Sequence, residues 1–170
     1  MAELERKHLL SRWAALENER SSWMAHWQEI SEHVLPRSGR FVLTDRNKGD
    51  KRHNRIHDNT ATRALRVLAA GMMSGMTSPA RPWFRLTTSI PELDESANVK
   101  AWLADVTRMM QMVFAKSNTY RALHAMYEEL GAFGTAGSIV LPDYKGVIHH
   151  YPLTTGEFAI ATDGRGMVNV

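Results

Sequence analysis

The sequence has 170 residues, a formal net charge of +3 and no cysteine. That length supports one domain with a real core, and the modest charge permits a polyanionic partner without requiring one. The lack of cysteine excludes disulfide staples, thiol nucleophiles and cysteine-ligated zinc or iron–sulfur centres, and is compatible with a reducing, intracellular setting.

The first segment, residues 1–35, reads as one long helix or as two helices with a bend. Leu9, Trp13, Leu16, Trp23, Trp27, Ile30 and Val34 recur at mostly three- and four-residue steps, which lays an apolar stripe along one side. Ser21 and Ser22 interrupt that stripe and are candidate caps for a second helix. Trp23 and Trp27 lie one turn apart and are expected to anchor the buried face. Pro36 and Gly39 end the segment. No uninterrupted apolar core of the signal-peptide kind occurs in Met1–Leu16.

Residues 36–57 form a basic loop. Arg37, Arg40, Arg46, Lys48, Lys51, Arg52 and Arg55 are offset only by Asp45 and Asp50. A connection this long is uncommon without a function or disorder. With Arg63 and Arg66 on the helix that follows, it is a candidate interface-forming or phosphate-facing surface. Phosphate contact needs such charge and no base-reading geometry, and arginine serves a protein interface equally well.

Residues 58–137 are expected to be a mainly helical core. Asp58 or Asn59 caps a helix through Met76 whose apolar side is Ala61, Ala64, Leu65, Leu68, Met72 and Met76. Gly71 and Gly75 offer a small-residue face for close backbone approach, and Val67–Met76 is too short and too interrupted to span a membrane. Pro79 and Pro82 stop the helix, and a short strand is expected near 83–88. After a turn at Pro91–Asp94, a broad apolar stripe including Trp102 marks a helix over Val99–Ala115. Asn118 or Thr119 caps another, through Leu130. Glu128 and Glu129 sit near its C-terminal end, where the dipole disfavours carboxylates, so a basic partner or solvent is expected to hold them.

Residues 138–170 read as an antiparallel β region, incomplete as it stands. Ser138–Leu141 and Val147–Tyr151 flank Pro142-Asp-Tyr-Lys-Gly146, a hairpin signal. The chain turns again at Thr154-Thr-Gly156 into Glu157–Ala161, and Met167–Val170 ends on strand-like sequence. The fold class is α+β: N-terminal helices, a helical middle and a C-terminal antiparallel region.

Chemistry is sparse. His149 and His150 are adjacent on a strand and point to opposite faces. His53 and His57 have helical zinc spacing without a specified third ligand. The glycines Gly131, Gly134 and Gly137 pass from helix to strand, the reverse of a phosphate cradle, and no serine sits in a nucleophile elbow. No catalytic residue, cofactor or metal site is assigned.

The chain resembles the head-to-tail connecting, or portal, proteins of short-tailed bacteriophages. The resemblance is carried by Trp27-Gln-Glu-Ile-Ser-Glu-His-Val-Leu-Pro36, Phe41, Asp58-Asn-Thr-Ala61 and Leu68-Ala-Ala-Gly-Met-Met-Ser-Gly-Met-Thr-Ser-Pro79. It continues through Arg81-Pro-Trp-Phe84, Val99-Lys-Ala-Trp-Leu103, Asn118 with Tyr120, and Gly131-Ala-Phe-Gly-Thr-Ala-Gly137. It implies a virion structural protein without enzyme activity, a ring of about twelve identical subunits at the capsid vertex, assembled in the host cytoplasm. Double-stranded DNA would pass the channel in packaging and ejection. The major capsid protein, large terminase and tail adaptors are the implied partners, and no membrane is implied. The chain would be an N-terminal portion, wing-like in fold, with Trp23, Trp27, Gly71, Met72, Gly75, Met76, Trp83, Phe84 and Trp102 as packing residues. The alternative reading is a small basic nucleic-acid-binding module of a virion.

Overall fold

A computed structural model describes residues 2–36, 38, 39, 41 and 56–168. In chain order the elements are α1 (Ala2–His33), α2 (Thr60–Met76), α3 (Pro91–Glu95), α4 (Ala97–Lys116), α5 (Thr119–Phe133), β1 (Gly137–Asp143) and β2 (Val147–Leu153). The α+β class holds, with β1 and β2 forming a two-stranded antiparallel hairpin. The described residues divide into two compact units. The first draws on Met1–Leu65, Glu129–Gly137 and Leu153–Val170, and the second on Arg66–Glu128 and Ser138–Pro152.

In the first unit, α1 is one continuous helix of 32 residues, roughly 48 Å long. The serines do not break it because their hydroxyls bond back along the helix, Ser21 Oγ to Asn18 C=O and Ser22 Oγ to Glu19 C=O. Such local bonding is compatible with an uninterrupted helix. The helix stops where Leu35 precedes Pro36, and Ser31 Oγ donates to Ser38 C=O at 2.6 Å to fold the exit back. Gly39 follows with φ +90°, and a Cβ there would collide with the Phe41 ring. That turn brings Phe41 edge-on to Phe133, with ring centroids 6.2 Å apart.

Helix α2 begins as its sequence predicts, with Asp58 Oδ1 accepting from the Thr60 N–H. The hydrogen bonds from Thr60 hold the Asp58 carboxyl below its usual range. The buried side of α2 is Leu65 and Ala69, followed by Thr77 just past its end, however, and Leu68 and Met76 are half exposed. Apolar residues occur on both sides of this helix, so periodicity alone could not choose between them.

Within the second unit, the expected strand near 83–88 is absent: the segment makes no ladder. Its backbone bonds to a helix side chain, the Leu86 N–H donating to Thr107 Oγ1 at 3.2 Å. Trp83, Phe84 and Phe114 form the aromatic cluster here, with centroids 4.7–6.1 Å apart. Trp102 does not join it and is 64% exposed. Leu103 and Thr107 define the buried side of α4, and Trp102 is turned about 100° from Leu103. Pro91–Asp94, expected as a turn, winds into the short helix α3, which runs to Glu95, and Ser96 makes no side-chain cap bond to α4.

Strand β1 is longer than predicted by one residue at its start and two at its end, and β2, which starts at Val147 as predicted, by two at its end. Its turn is fixed by the Gly146 N–H donating to Asp143 Oδ2 at 2.7 Å. Val147 carries φ +70°, an unfavourable conformation for a β-branched residue. Beyond β2 the chain forms no further strand over Glu157–Ala161, and a single bridge pairs Thr162 with Val168.

Candidate functional site

Of the basic surface read from the sequence, Arg63 and Arg66 are exposed on α2. Arg37, Arg40, Arg46, Lys48, Lys51, Arg52 and Arg55, with His53, lie outside the described residues. A second basic surface was not singled out from the sequence. In the second unit a cleft of about 500 Å³ carries Arg85, Lys100 and Arg108, with Asp94, over Phe84, Leu86 and Leu103. Its Arg108 meets Asp105 at 3.2 Å on an exposed surface, a pair of little energetic weight. These cations come from separate segments, so no charge run announced them.

The first unit holds an apolar cleft of about 320 Å³ whose lining includes Leu16, Arg20, Trp23, Trp27, Phe133 and Phe158. Trp23 and Trp27 stack with centroids 6.2 Å apart, although Trp23 remains 56% exposed. Arg20 occupies a position within the apolar stripe of α1. It is accommodated there because Nη1 donates to Gly156 C=O at 3.1 Å and to Phe158 C=O at 2.7 Å.

Behind this cleft sits a buried carboxylate. Glu129 is 6% exposed. Its Oε1 accepts from Thr154 Oγ1 at 2.8 Å, and its Oε2 accepts from the Thr155 N–H at 3.2 Å and Thr155 Oγ1 at 3.3 Å. Among the described residues the partners of Glu129 are thus threonine donors, not a basic side chain. Thr154 Oγ1 also accepts from the Gly39 N–H, so one node joins α1's exit, the end of α5 and the 154–157 turn. A buried carboxyl group held by three hydrogen bonds is a structural anchor.

Gly71 and Gly75 face open space, with no atom within 4 Å of where a Cβ would stand, so neither is closely approached by the described residues. The Met72 beside them is half-buried. On the hairpin, His149 lies against Tyr151 with centroids 4.6 Å apart. His150 Nε2 is buried without a partner among the described residues, and burial, followed by repulsion from His149, depresses its pKa below the usual 6.5. Among the described residues no three metal-ligating side chains gather, and no helix is long and apolar enough to cross a membrane.

Residues 6–170 match the family described as "Bacteriophage head to tail connecting protein". The chain is 75% identical over 165 residues to the "Probable portal protein" of Bordetella phage BPP-1, covering 97% of this chain and 30% of that protein. It is 45% identical over 169 residues to the "Portal protein" of Salmonella phage epsilon15, covering 99% of this chain and 30% of that one. The chain thus spans less than a third of the length of these relatives.

Proposed function

The chain belongs to the bacteriophage head to tail connecting protein family, and from that premise we propose that it is the N-terminal portion of a portal ring subunit. In this reading about twelve copies close a ring by head-to-tail contacts. The ring stands at one capsid vertex, passes double-stranded DNA in packaging and ejection, and docks the large terminase and later the tail adaptors. The family match over nearly the whole chain supports the structural role; the ring number and partners are the proposal.

One observation carries the assembly reading furthest. In the second unit Val67, Leu68, Met76, Trp102, Met109 and Met112 are each about half exposed or more. Large apolar side chains left open on two helices are what a subunit shows when its neighbours are absent. Leu68, Gly71 and Gly75 share one exposed side of α2, where a neighbouring backbone can come close because the glycines offer no Cβ. The basic segment 37–55 is proposed to find its counter-charges in that assembly or on DNA, since unpaired arginine is costly to bury.

The test is the native mass and shape of the full-length polypeptide, by light scattering and electron microscopy. A closed ring with a channel wide enough for duplex DNA is expected. A stable monomer or dimer of the intact product, binding duplex DNA steeply with falling salt, overturns the assembly role.

A further inference from the structure

The two edges of the hairpin are chemically unlike. On β2, Asn118 Oδ1 accepts from the His150 N–H at 2.8 Å, and Asn118 Nδ2 donates to the His150 C=O at 2.7 Å. Both backbone groups of His150 therefore face away from β1. In an antiparallel pair the N–H and C=O of one residue point to the same side, and the side alternates along the strand. The Asn118 amide stands where a residue of a third strand would stand. Two residues on, Pro152 faces that same side with no N–H to offer. The outer edge of β2 is closed.

Among the described residues the outer edge of β1 is open at Ser138 and Val140. Pro142 faces outward with no N–H to offer, as Pro152 does on β2, and blunts only the turn end; alternation turns the backbone of Val140 and Ser138 outward as well. Among the described residues no side chain bonds those groups. Ile139, Val140 and Leu141 are 49%, 52% and 47% exposed. Successive strand residues face opposite sides, so β1 is apolar on both of its faces. That is the composition of an interior strand, and here it stands at an edge, where a further strand can add.

We propose that the Ser138–Val140 edge of β1 is a strand-acceptor site, and that its occupant is an extended, apolar segment of the same polypeptide lying outside residues 1–170. The relatives have the length to supply it, since the matched part is 30% of each. A second copy is the poorer occupant. Two β1 edges pairing with each other make a closed twofold contact, which consumes the edge without propagating to a ring.

Amide hydrogen exchange, read residue by residue on the full-length polypeptide as dissociated monomer and as assembled particle, decides between them. The expected result is a Val140 N–H that exchanges at least about 100-fold slower than an open amide in the monomer already, and no slower in the particle. Protection that arises only on assembly assigns the edge to a neighbouring copy and overturns the proposal. Fast exchange in both forms shows an unpaired edge and also overturns it. Val140→Pro removes the outward N–H and spares the ladder to β2. It should abolish protection at Ser138 while leaving His149 and Tyr151 protected, and retained protection at Ser138 counts against the pairing. Because the monomer is measured by itself, protection of Val140 in that form is independent of whether the ring reading holds.

Discussion

Removing the Glu129 carboxylate should be among the most damaging single changes in the first unit. Glu129→Ala leaves three donors without their acceptor: Thr154 Oγ1, the Thr155 N–H and Thr155 Oγ1. Thr154 is half-buried and its hydroxyl can turn to water. Thr155 is 2% exposed, so its N–H and hydroxyl stay dry, and each unsatisfied buried donor costs about 1–3 kcal/mol. The working figure is a loss of about 3 kcal/mol, on the order of 6–12 °C in Tm for a chain of this size. Glu129→Gln keeps the shape and one acceptor oxygen but turns an amide donor toward Thr donors, and should lose about half as much. Urea denaturation followed by circular dichroism supplies the single-variant values, and a cycle with Thr155→Ala isolates the coupling. Coupling of about 1 kcal/mol or more is expected. A Glu129→Ala loss under about 0.5 kcal/mol, the range of ordinary surface changes, or an additive cycle, would refute the anchoring role.

Val147→Gly should stabilise the hairpin by about 0.5–1 kcal/mol, because the left-handed φ penalises a Cβ and Val147 is already 61% exposed; a drop in urea midpoint contradicts this. Arg20→Lys should lose most of what Arg20→Ala loses, about 2 kcal/mol, because the shorter lysine side chain ends one bond before the position from which Nη1 reaches both carbonyls. Equal stability of wild type and Arg20→Lys would show that the reach of the guanidinium is immaterial. His150 gives a pH dependence of defined sign. Its pKa is depressed in the fold relative to 6.5, so below 6.5 the unfolded chain binds more protons, and stability falls as pH drops through that value toward the lower folded one. Above it the contribution is complete and flat. His150→Gln should remove that part of the slope in urea midpoints measured between about pH 7.5 and about pH 5.5, and an unaltered slope assigns it elsewhere.

What the sequence conveyed was the local code. The hairpin, the Asp58 start of α2 and the proline stops rest on near-neighbour chemistry, and each is found close to its expected place. What it concealed depends on partners far along the chain. Ser21 and Ser22 carry cap chemistry, yet a hydroxyl can bond either forward as a cap or back to its own helix, and only the surrounding packing decides. Segment 83–88 has strand composition, but a strand exists only where a neighbour offers a ladder, and Thr107 of α4 takes that place. Trp102 belongs to a stripe so broad that its buried centre could not be located from spacing, and the actual centre lies at Leu103 and Thr107. For Glu129 the misleading signal was general electrostatics at a helix C-terminus. Its threonine donors are 25 and 26 residues away, with no pattern linking them.

Asn118 joins these two kinds of information and permits a test that separates them. It stands at the N-terminal boundary of α5, with the Ala122 N–H donating to its C=O, and in sequence it reads as that helix's cap. Its side chain is not spent on the helix. Ser117 Oγ accepts from the Thr119 N–H at 3.3 Å, and the Asn118 amide holds both backbone groups of His150. As caps, Asn, Asp and Ser are nearly equivalent, so a capping role predicts that Asn118→Asp and Asn118→Ser change stability by less than about 0.5 kcal/mol. A strand-edge role needs a donor and an acceptor at once. Asn118→Asp keeps the acceptor and sets a negative charge against the His150 carbonyl, which should cost about 2 kcal/mol. Asn118→Ser is too short to reach either group, and should cost a similar amount while exposing the β2 edge to intermolecular pairing. Thermal melts with light scattering read both effects, and near-neutral values for both variants would return Asn118 to the helix and leave the β2 edge without its seal.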